Sequence, residues 1–491
     1  MESLSRSVKK SVGWLLVGRG VKGAVNAVAS VALARMLEPR TFGVFAIAGL
    51  FIGFTKQFQT MGMGKAAIRL RNVNPAHLTT LFTVNLASSS ALCATMWVAA
   101  PLLERLFHEP DAVPVLRVLA LGFLANPFSS LGITITERRL DYRSQTLANI
   151  LFAVFKVATS LTLAWWGYGV WSLAIGQLVG QVTRSTTLAI CAGWVPRLGY
   201  SREAARDLAG FGLGMFVKSA CIYAQDRIDY FVVGKWLGAT SLGFFERAYR
   251  IPEAIAKELG TSTSNVLFSA YSRIQEERER LGSAFVRVLT MSALLAFPGL
   301  VGISLIAPSF IHVVFGPKWD PAVAPLQILC VGGLFRMLSQ AVSTLMNALG
   351  IIRAEAMSRV AVFILATLGL VYATRWGLIG IAGVILLVEL LTAAVLVGVL
   401  VRVTHLRAAG LFRPQGPILA ATALMVVGVL VFQRFTSPLL GLHSLATLAG
   451  STGIGAAVYL LGLYLFRNEQ VAEAVKQIFK DTRPLLQGVL R

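Results

Sequence analysis

Fourteen long apolar stretches joined by short connections occupy this chain from residue 12 to residue 466. They lie near 12–34, 41–63, 78–103, 114–136, 146–166, 170–193, 208–234, 240–270, 284–315, 321–349, 354–374, 378–401, 416–434 and 442–466. A helix needs about 20 predominantly apolar residues to cross a hydrocarbon core. Each stretch meets that length, and the connections leave no room for a soluble domain. Of the 491 residues 56% are hydrophobic and 14% charged, with a mean hydropathy of +0.70, more apolar surface than a water-soluble core can hide. The expected fold is therefore an all-α polytopic membrane protein of about fourteen transmembrane helices.

Basic residues test that count, because Lys and Arg collect on cytoplasmic loops. They gather on alternate connections: Lys65, Arg69 and Arg71; Arg138, Arg139 and Arg143; Arg197, Arg202 and Arg206; Arg273, Arg278 and Arg280; Arg402, Arg407 and Arg413. Connections between these are short or acidic, as with Glu104, Glu109 and Asp111. Both termini are thus expected in the cytoplasm. The net charge of +22 has this topological origin, and its dispersal at helix ends argues against a nucleic-acid partner. Arg6, Lys9 and Lys10 precede the first apolar stretch as in a secretory signal, but Arg19 and Lys22 interrupt it and it runs past Ala34, so it reads as an uncleaved span. The tail carries Val471, Val475, Ile478 and Phe479 on one helical face and is expected to lie along the cytoplasmic membrane surface. Cys93, Cys191, Cys221 and Cys330 lie in apolar segments without a Cys-x-x-Cys pair, so no metal and no cofactor is expected.

An internal repeat organises the spans. Residues 35–45, RMLEPRTFGVF, align without a gap on residues 235–245, KWLGATSLGFF, at an offset of 200. The turn Trp166-Gly167-Tyr168-Gly169-Val170 similarly matches Trp376-Gly377-Leu378-Ile379-Gly380-Ile381 with one insertion. Both copies begin with a span entering from the cytoplasm, so the repeat is parallel. Its expected domains are an N-terminal lobe (1–200, six helices), a C-terminal lobe (201–405, six helices), two additional helices (406–467) and the tail (468–491). Weak internal symmetry of this kind accompanies duplicated transporters whose substrate site lies near the interface of the halves.

Ionisable residues inside spans cost about 2.5–3.5 kcal/mol each at mid-bilayer, so they normally face a wet cavity or a partner. The first lobe contains Arg19, Lys22, Lys56, Lys156 and Arg184 but no Asp or Glu near its span centres. Arg19, Lys22, Asn26 and Ser30 share one helical stripe. The seventh span brings Lys218, Asp226 and Asp229 onto one broad arc, where pairing within the protein is expected. Arg247, Arg250, Glu253, Lys257 and Glu258 load the next span around Pro252, while Arg287, Arg336 and Glu389 stand more alone. For Lys56, Arg184 and Arg287, nearer helix ends, snorkelling or a salt bridge competes with a substrate role. The candidate substrate-binding set is Arg19, Lys22, Asn26, Lys56, Lys156, Arg184, Lys218, Asp226, Asp229, Arg247, Arg250 and Arg336. A cationic cavity suits an anionic substrate that supplies the missing countercharge.

Several stretches together resemble a known family. They are Ala34-Arg35-Met36-Leu37-Glu38-Pro39 with Phe42-Gly43, Phe58 through Gly62-Met63-Gly64 to Ala67-Ile68, and Glu137-Arg138-Arg139-Leu140-Asp141-Tyr142-Arg143. In the second lobe they are Leu242-Gly243-Phe244-Phe245 to Arg247-Ala248-Tyr249, Val266-Leu267-Phe268 to Ala270-Tyr271-Ser272-Arg273, Gly316 with Trp319, and Asn347-Ala348-Leu349-Gly350. The chain resembles the polysaccharide-repeat flippases (Wzx type) of the multidrug, oligosaccharidyl-lipid and polysaccharide (MOP) exporter superfamily. That resemblance implies a MATE/MOP-like arrangement in the bacterial inner membrane and no enzymatic activity. It also implies transfer of an undecaprenyl-pyrophosphate-linked oligosaccharide to the periplasmic leaflet for exopolysaccharide, capsule or O-antigen, with membrane lipids, a polysaccharide polymerase and export machinery as partners. Two departures are Thr60, where relatives often carry an acidic residue, and Ser269, where they often carry proline; the first weighs against ion coupling. A multidrug antiporter of the same superfamily would need intramembrane carboxylates that the first lobe lacks. A membrane polymerase or glycosyltransferase would need an organised extramembrane site.

Overall fold

A computed structural model describes residues 2–59, 67–68, 70, 73–195, 197–209, 212–273, 277–404, 410, 412–441 and 443–466. Within that set the side chains of Arg19, Lys218, Lys257 and Ser269 lie outside the description, as do Thr60, Lys65, Arg69, Arg71 and the tail after Phe466. The described residues form helices and connections without a strand. Fourteen helices are long: α1 (Glu2–Met36), α2 (Pro39–Gln59), α3 (Pro75–Ala99), α4 (Ala112–Arg138), α5 (Tyr142–Trp165), α6 (Val170–Ala192), α7 (Gly212–Val232), α8 (Gly238–Arg273), α9 (Arg278–Phe310), α10 (Val323–Ala348), α11 (Ile352–Ala373), α12 (Gly377–Thr404), α13 (Gly416–Leu440) and α14 (Leu445–Leu465). The all-α polytopic fold expected from hydropathy is the fold observed. Nine stretches among the described residues are long and apolar enough to cross a membrane, one of them running through α11 and α12. The helices outside those nine are α1, α6, α7 and α8, which carry much of the intramembrane charge.

Two compact units divide the chain, Met1–Gly243 and Phe244–Arg491. Within the first, α3 packs on α4, α4 on α6 and α5 on α6; within the second, α9 packs on α10, α10 on α12 and α11 on α12. Adding six to each helix number turns the first set into the second, which is the parallel repeat expressed as packing. The final pair α13 and α14 packs against α9 through Ala293, Leu294, Ile418, Met425, Tyr459 and Leu463, and the Tyr459 hydroxyl donates to the Leu294 carbonyl at 2.8 Å.

The compact units divide beyond the lobe boundary expected at residue 200, with α7 in the first unit, where it forms a seam with α2. The Tyr223 hydroxyl donates to the Leu50 carbonyl at 2.9 Å, and a side chain at Gly53 would meet that hydroxyl. Farther along, a Cβ on Gly43 would lie 1.6 Å from the Ala239 carbonyl oxygen, and one on Gly243 would lie 2.0 Å from the Pro39 oxygen. Residues 39 and 43 are the repeat equivalents of 239 and 243. The two copies of the motif therefore touch each other reciprocally, and only glycine fits either position.

The basic loop after α4 has structural work of its own. Arg138 donates to the carbonyls of Ala67 at 2.8 Å and Leu70 at 2.7 Å, and Arg139 caps the end of α6 through the Ala192 carbonyl at 3.1 Å. Asp141 then caps α5 by accepting from the Ser144 amide at 3.2 Å. The opposite ends of α5 and α11 carry exposed Trp165, Trp166 and Tyr168, and Tyr372 and Trp376, on the two related turns. Amphipathic rings at that level suit a membrane–water interface.

Candidate functional site

Four cations of the first lobe converge from four helices that are distant in sequence. Lys22 enters from α1, Lys56 from α2, Lys156 from α5 and Arg184 from α6, all partly buried. Helix α1 reaches α5 by close packing at Gly18, where a Cβ would lie 2.4 Å from Thr146 Cγ2. Lys22 and Lys56 each lie close enough to Arg184 to feel its repulsion. Among the described residues no carboxylate forms an ion pair with Lys22, Lys56 or Arg184.

Neutral groups contact Lys22, Lys156 and Arg184. Arg184 Nε donates to Asn149 Oδ1 at 3.0 Å. Lys22 Nζ and Lys156 Nζ each stand 5.8 Å from the centroid of the Phe152 ring, within cation–π range. Asn26 is partly buried on α1, one turn beyond Lys22. Neither Asn149 nor Phe152 was signalled by charge. Their spacing of seven and four residues before Lys156 is the pattern that marks them as neighbours on its stripe. The same unit also contains an uncharged polar network. Gln59 Nε2 donates to Ser89 Oγ at 2.6 Å, Asn126 Nδ2 donates to Gln59 Oε1, and Gln181 Nε2 donates to the Gly122 carbonyl at 2.7 Å.

The remaining candidates are placed differently. Asp229 is buried and accepts from the Tyr230 amide at 2.8 Å, whereas Asp226 is exposed. In the second unit Arg247 is 4% exposed, with its guanidinium 5.5 Å from the Trp319 ring centroid and 5.7 Å from that of Phe315. Glu246 Oε2 lies 3.8 Å from its Nε. Exposed Arg250 pairs with Glu246 at 3.0 Å. Arg336 Nε donates to Glu389 Oε1 at 2.7 Å, and its guanidinium lies 5.1 Å from the Tyr249 ring centroid. Those three residues, with Pro252, Glu253 and Gly333, line a cavity of about 10 Å³, enough for one water. The structure thus gathers Lys22, Lys56, Lys156 and Arg184 together, and surrounds Arg247, Arg250 and Arg336 with separate partners.

A family model described as polysaccharide biosynthesis protein matches residues 32–324. The chain is 23% identical over 357 residues to the lipopolysaccharide biosynthesis protein WzxC of Escherichia coli (strain K12), covering 70% of this chain and 71% of that one. It is 23% identical over 327 residues to the succinoglycan biosynthesis transport protein ExoT of Rhizobium meliloti (strain 1021), covering 67% and 66%. Among solved structures, the inward closed conformation of the lipid II flippase MurJ superposes with a TM-score of 0.74 at 15% identity, covering 92% of this chain and 98% of that one. An inward-facing MATE family multidrug resistance transporter of the MOP superfamily superposes with a TM-score of 0.62 at 18% identity, covering 80% and 98%.

Proposed function

The chain belongs to the polysaccharide biosynthesis protein family, and from that premise we propose that it is a flippase for lipid-linked oligosaccharide. It carries an undecaprenyl-pyrophosphate-linked repeat unit from the cytoplasmic to the periplasmic leaflet of a bacterial inner membrane, with both of its own termini in the cytoplasm. The observation that carries this reading is the cluster of Lys22, Lys56, Lys156 and Arg184, in which the described carboxylates leave Lys22, Lys56 and Arg184 without an ionic partner. An anionic head-group supplies the countercharge, and ammonium and guanidinium groups form its charge-assisted hydrogen bonds. The likeness to a lipid II flippase and the relatives named for lipopolysaccharide and succinoglycan support the substrate class.

Alternating access moves the head-group while the lipid tail stays in the bilayer. A potential that is negative inside supplies about 2.3 kcal/mol per charge per 100 mV. A doubly anionic head-group moving outward gains roughly 4–5 kcal/mol at that potential, provided the basic groups of the site move little through the field. Export then draws on the potential directly.

Complementation of a flippase-null strain tests this reading. Wild type is expected to restore surface polysaccharide, whereas Lys22→Ala/Arg184→Ala at matched membrane level is expected to accumulate lipid-linked repeats on the cytoplasmic leaflet. Full rescue by the double variant overturns the cationic site.

A further inference from the structure

Asn149, Phe152 and Lys156 follow one another on α5 at intervals of three and four residues, which sets them on one stripe. Asn149 receives Arg184, and Phe152 receives both Lys22 and Lys156. Helix α6 clamps this stripe from behind through Gly176 and Gly180. A Cβ on Gly180 would lie 2.9 Å from Lys156 Cβ, 3.0 Å from the Phe152 carbonyl oxygen and 3.2 Å from Phe152 Cδ2. One on Gly176 would lie 2.0 Å from Ser160 Oγ and 2.9 Å from the Lys156 carbonyl oxygen. Two glycines four residues apart allow such close approach in a membrane helix pair.

The chemistry of the two holders is the informative part. An aspartate at position 149 would bind Arg184 more strongly than an amide does, because ionised hydrogen bonds are about twice as strong as neutral ones. It would also discharge Arg184 from within. An amide oxygen and a ring face direct the cations without neutralising them. We propose that Asn149 and Phe152 are the positioning residues that determine charge specificity here, keeping Arg184 and Lys22 oriented yet undischarged. The ligand class that completes the site is then a polyanionic head-group, a pyrophosphate in preference to a monophosphate. This inference rests on the reading of the cluster as the substrate site.

The test uses the full-length protein in nanodiscs, with geranylgeranyl pyrophosphate and geranylgeranyl monophosphate as probes, and follows binding together with thermal unfolding. Wild type is expected to prefer the pyrophosphate at least tenfold. Asn149→Asp is expected to unfold at the same temperature or higher, yet to lose about tenfold in pyrophosphate affinity and most of the preference. Phe152→Leu is expected to weaken binding several-fold, and Phe152→Tyr, which keeps the ring, to recover most of it. Unchanged pyrophosphate binding by Asn149→Asp overturns the proposal, as does weaker binding accompanied by a lower unfolding temperature, which marks a purely structural residue. Lys22→Ala/Arg184→Ala separates the two levels of argument. If that variant loses binding while Asn149→Asp keeps it, the positioning role fails and the site stands; if it binds as wild type does, both fail.

Discussion

The cations around Asn149 and the ion pair around Glu389 solve one problem by opposite means. Both regions place basic side chains inside apolar helices, where an unsatisfied charge is costly. In the second unit Arg336 is answered by the carboxylate of Glu389 and the ring of Tyr249. In the first, Lys22 and Arg184 are answered by a ring and an amide. On the proposed reading, the difference separates charge kept for the protein from charge kept for a ligand. A carboxylate partner closes the account locally; a neutral partner leaves it open.

Making the first region imitate the second is expected to have the largest effect. Lys56→Glu would supply Arg184 with an internal counterion in a cluster that now repels. Two charge-assisted contacts to a head-group, worth about 1.5–3 kcal/mol each, would be lost. Flipping, followed as surface polysaccharide per molecule of membrane-inserted protein, should fall by about 100-fold or more with no drop in thermal stability. Undiminished export would break the comparison at its more informative end.

Damage to the second region should appear in stability instead. Glu389→Ala leaves Arg336, about a third exposed, with the Tyr249 ring but without its carboxylate, and should cost about 2–3 kcal/mol, read from denaturation of the purified protein. Replacing both partners with apolar residues, Arg336→Met with Glu389→Leu, should recover most of that loss, to within about 1 kcal/mol of wild type. A double variant as unstable as Glu389→Ala alone would assign the cost to lost packing rather than to a stranded charge. The smallest effect is expected at the surface. Arg250→Ala removes an exposed pair with Glu246 four residues away on the same helix and should change stability by no more than about 0.5 kcal/mol.

The architecture was legible because lipid is a strict solvent. Spans must be largely apolar and must satisfy their backbone within themselves, so apolar length marked most of the helices, while the charged α1, α6, α7 and α8 were legible only with the turns and the alternating basic connections beside them. The repeat was legible for the same reason: the motif around Gly43 and Gly243 must keep glycine wherever two backbones meet. The site was only half legible. Lys22 and Arg184 stood out as charges in apolar segments, but their convergence depends on α1, α5 and α6 packing across more than 120 residues of chain, which no local pattern encodes. Asn149 and Phe152 carry no charge and look like ordinary span residues. Their proposed role rests on the cations that α1 and α6 bring to them. Arg247 looked like a substrate ligand for the converse reason, since Phe315 and Trp319, which enclose it, lie about 70 residues downstream.

Reciprocity at the Gly43–Gly243 crossing has an evolutionary consequence. The halves of a doubled gene are free to drift apart. At this crossing each copy is the wall against which the other rests, as in the self-complementary interface of a two-fold dimer. A side chain gained by either half collides with backbone supplied by the other, so neither position can relax while its twin stays fixed. The most ancestral portion of the molecule is therefore expected where the two descendants still touch.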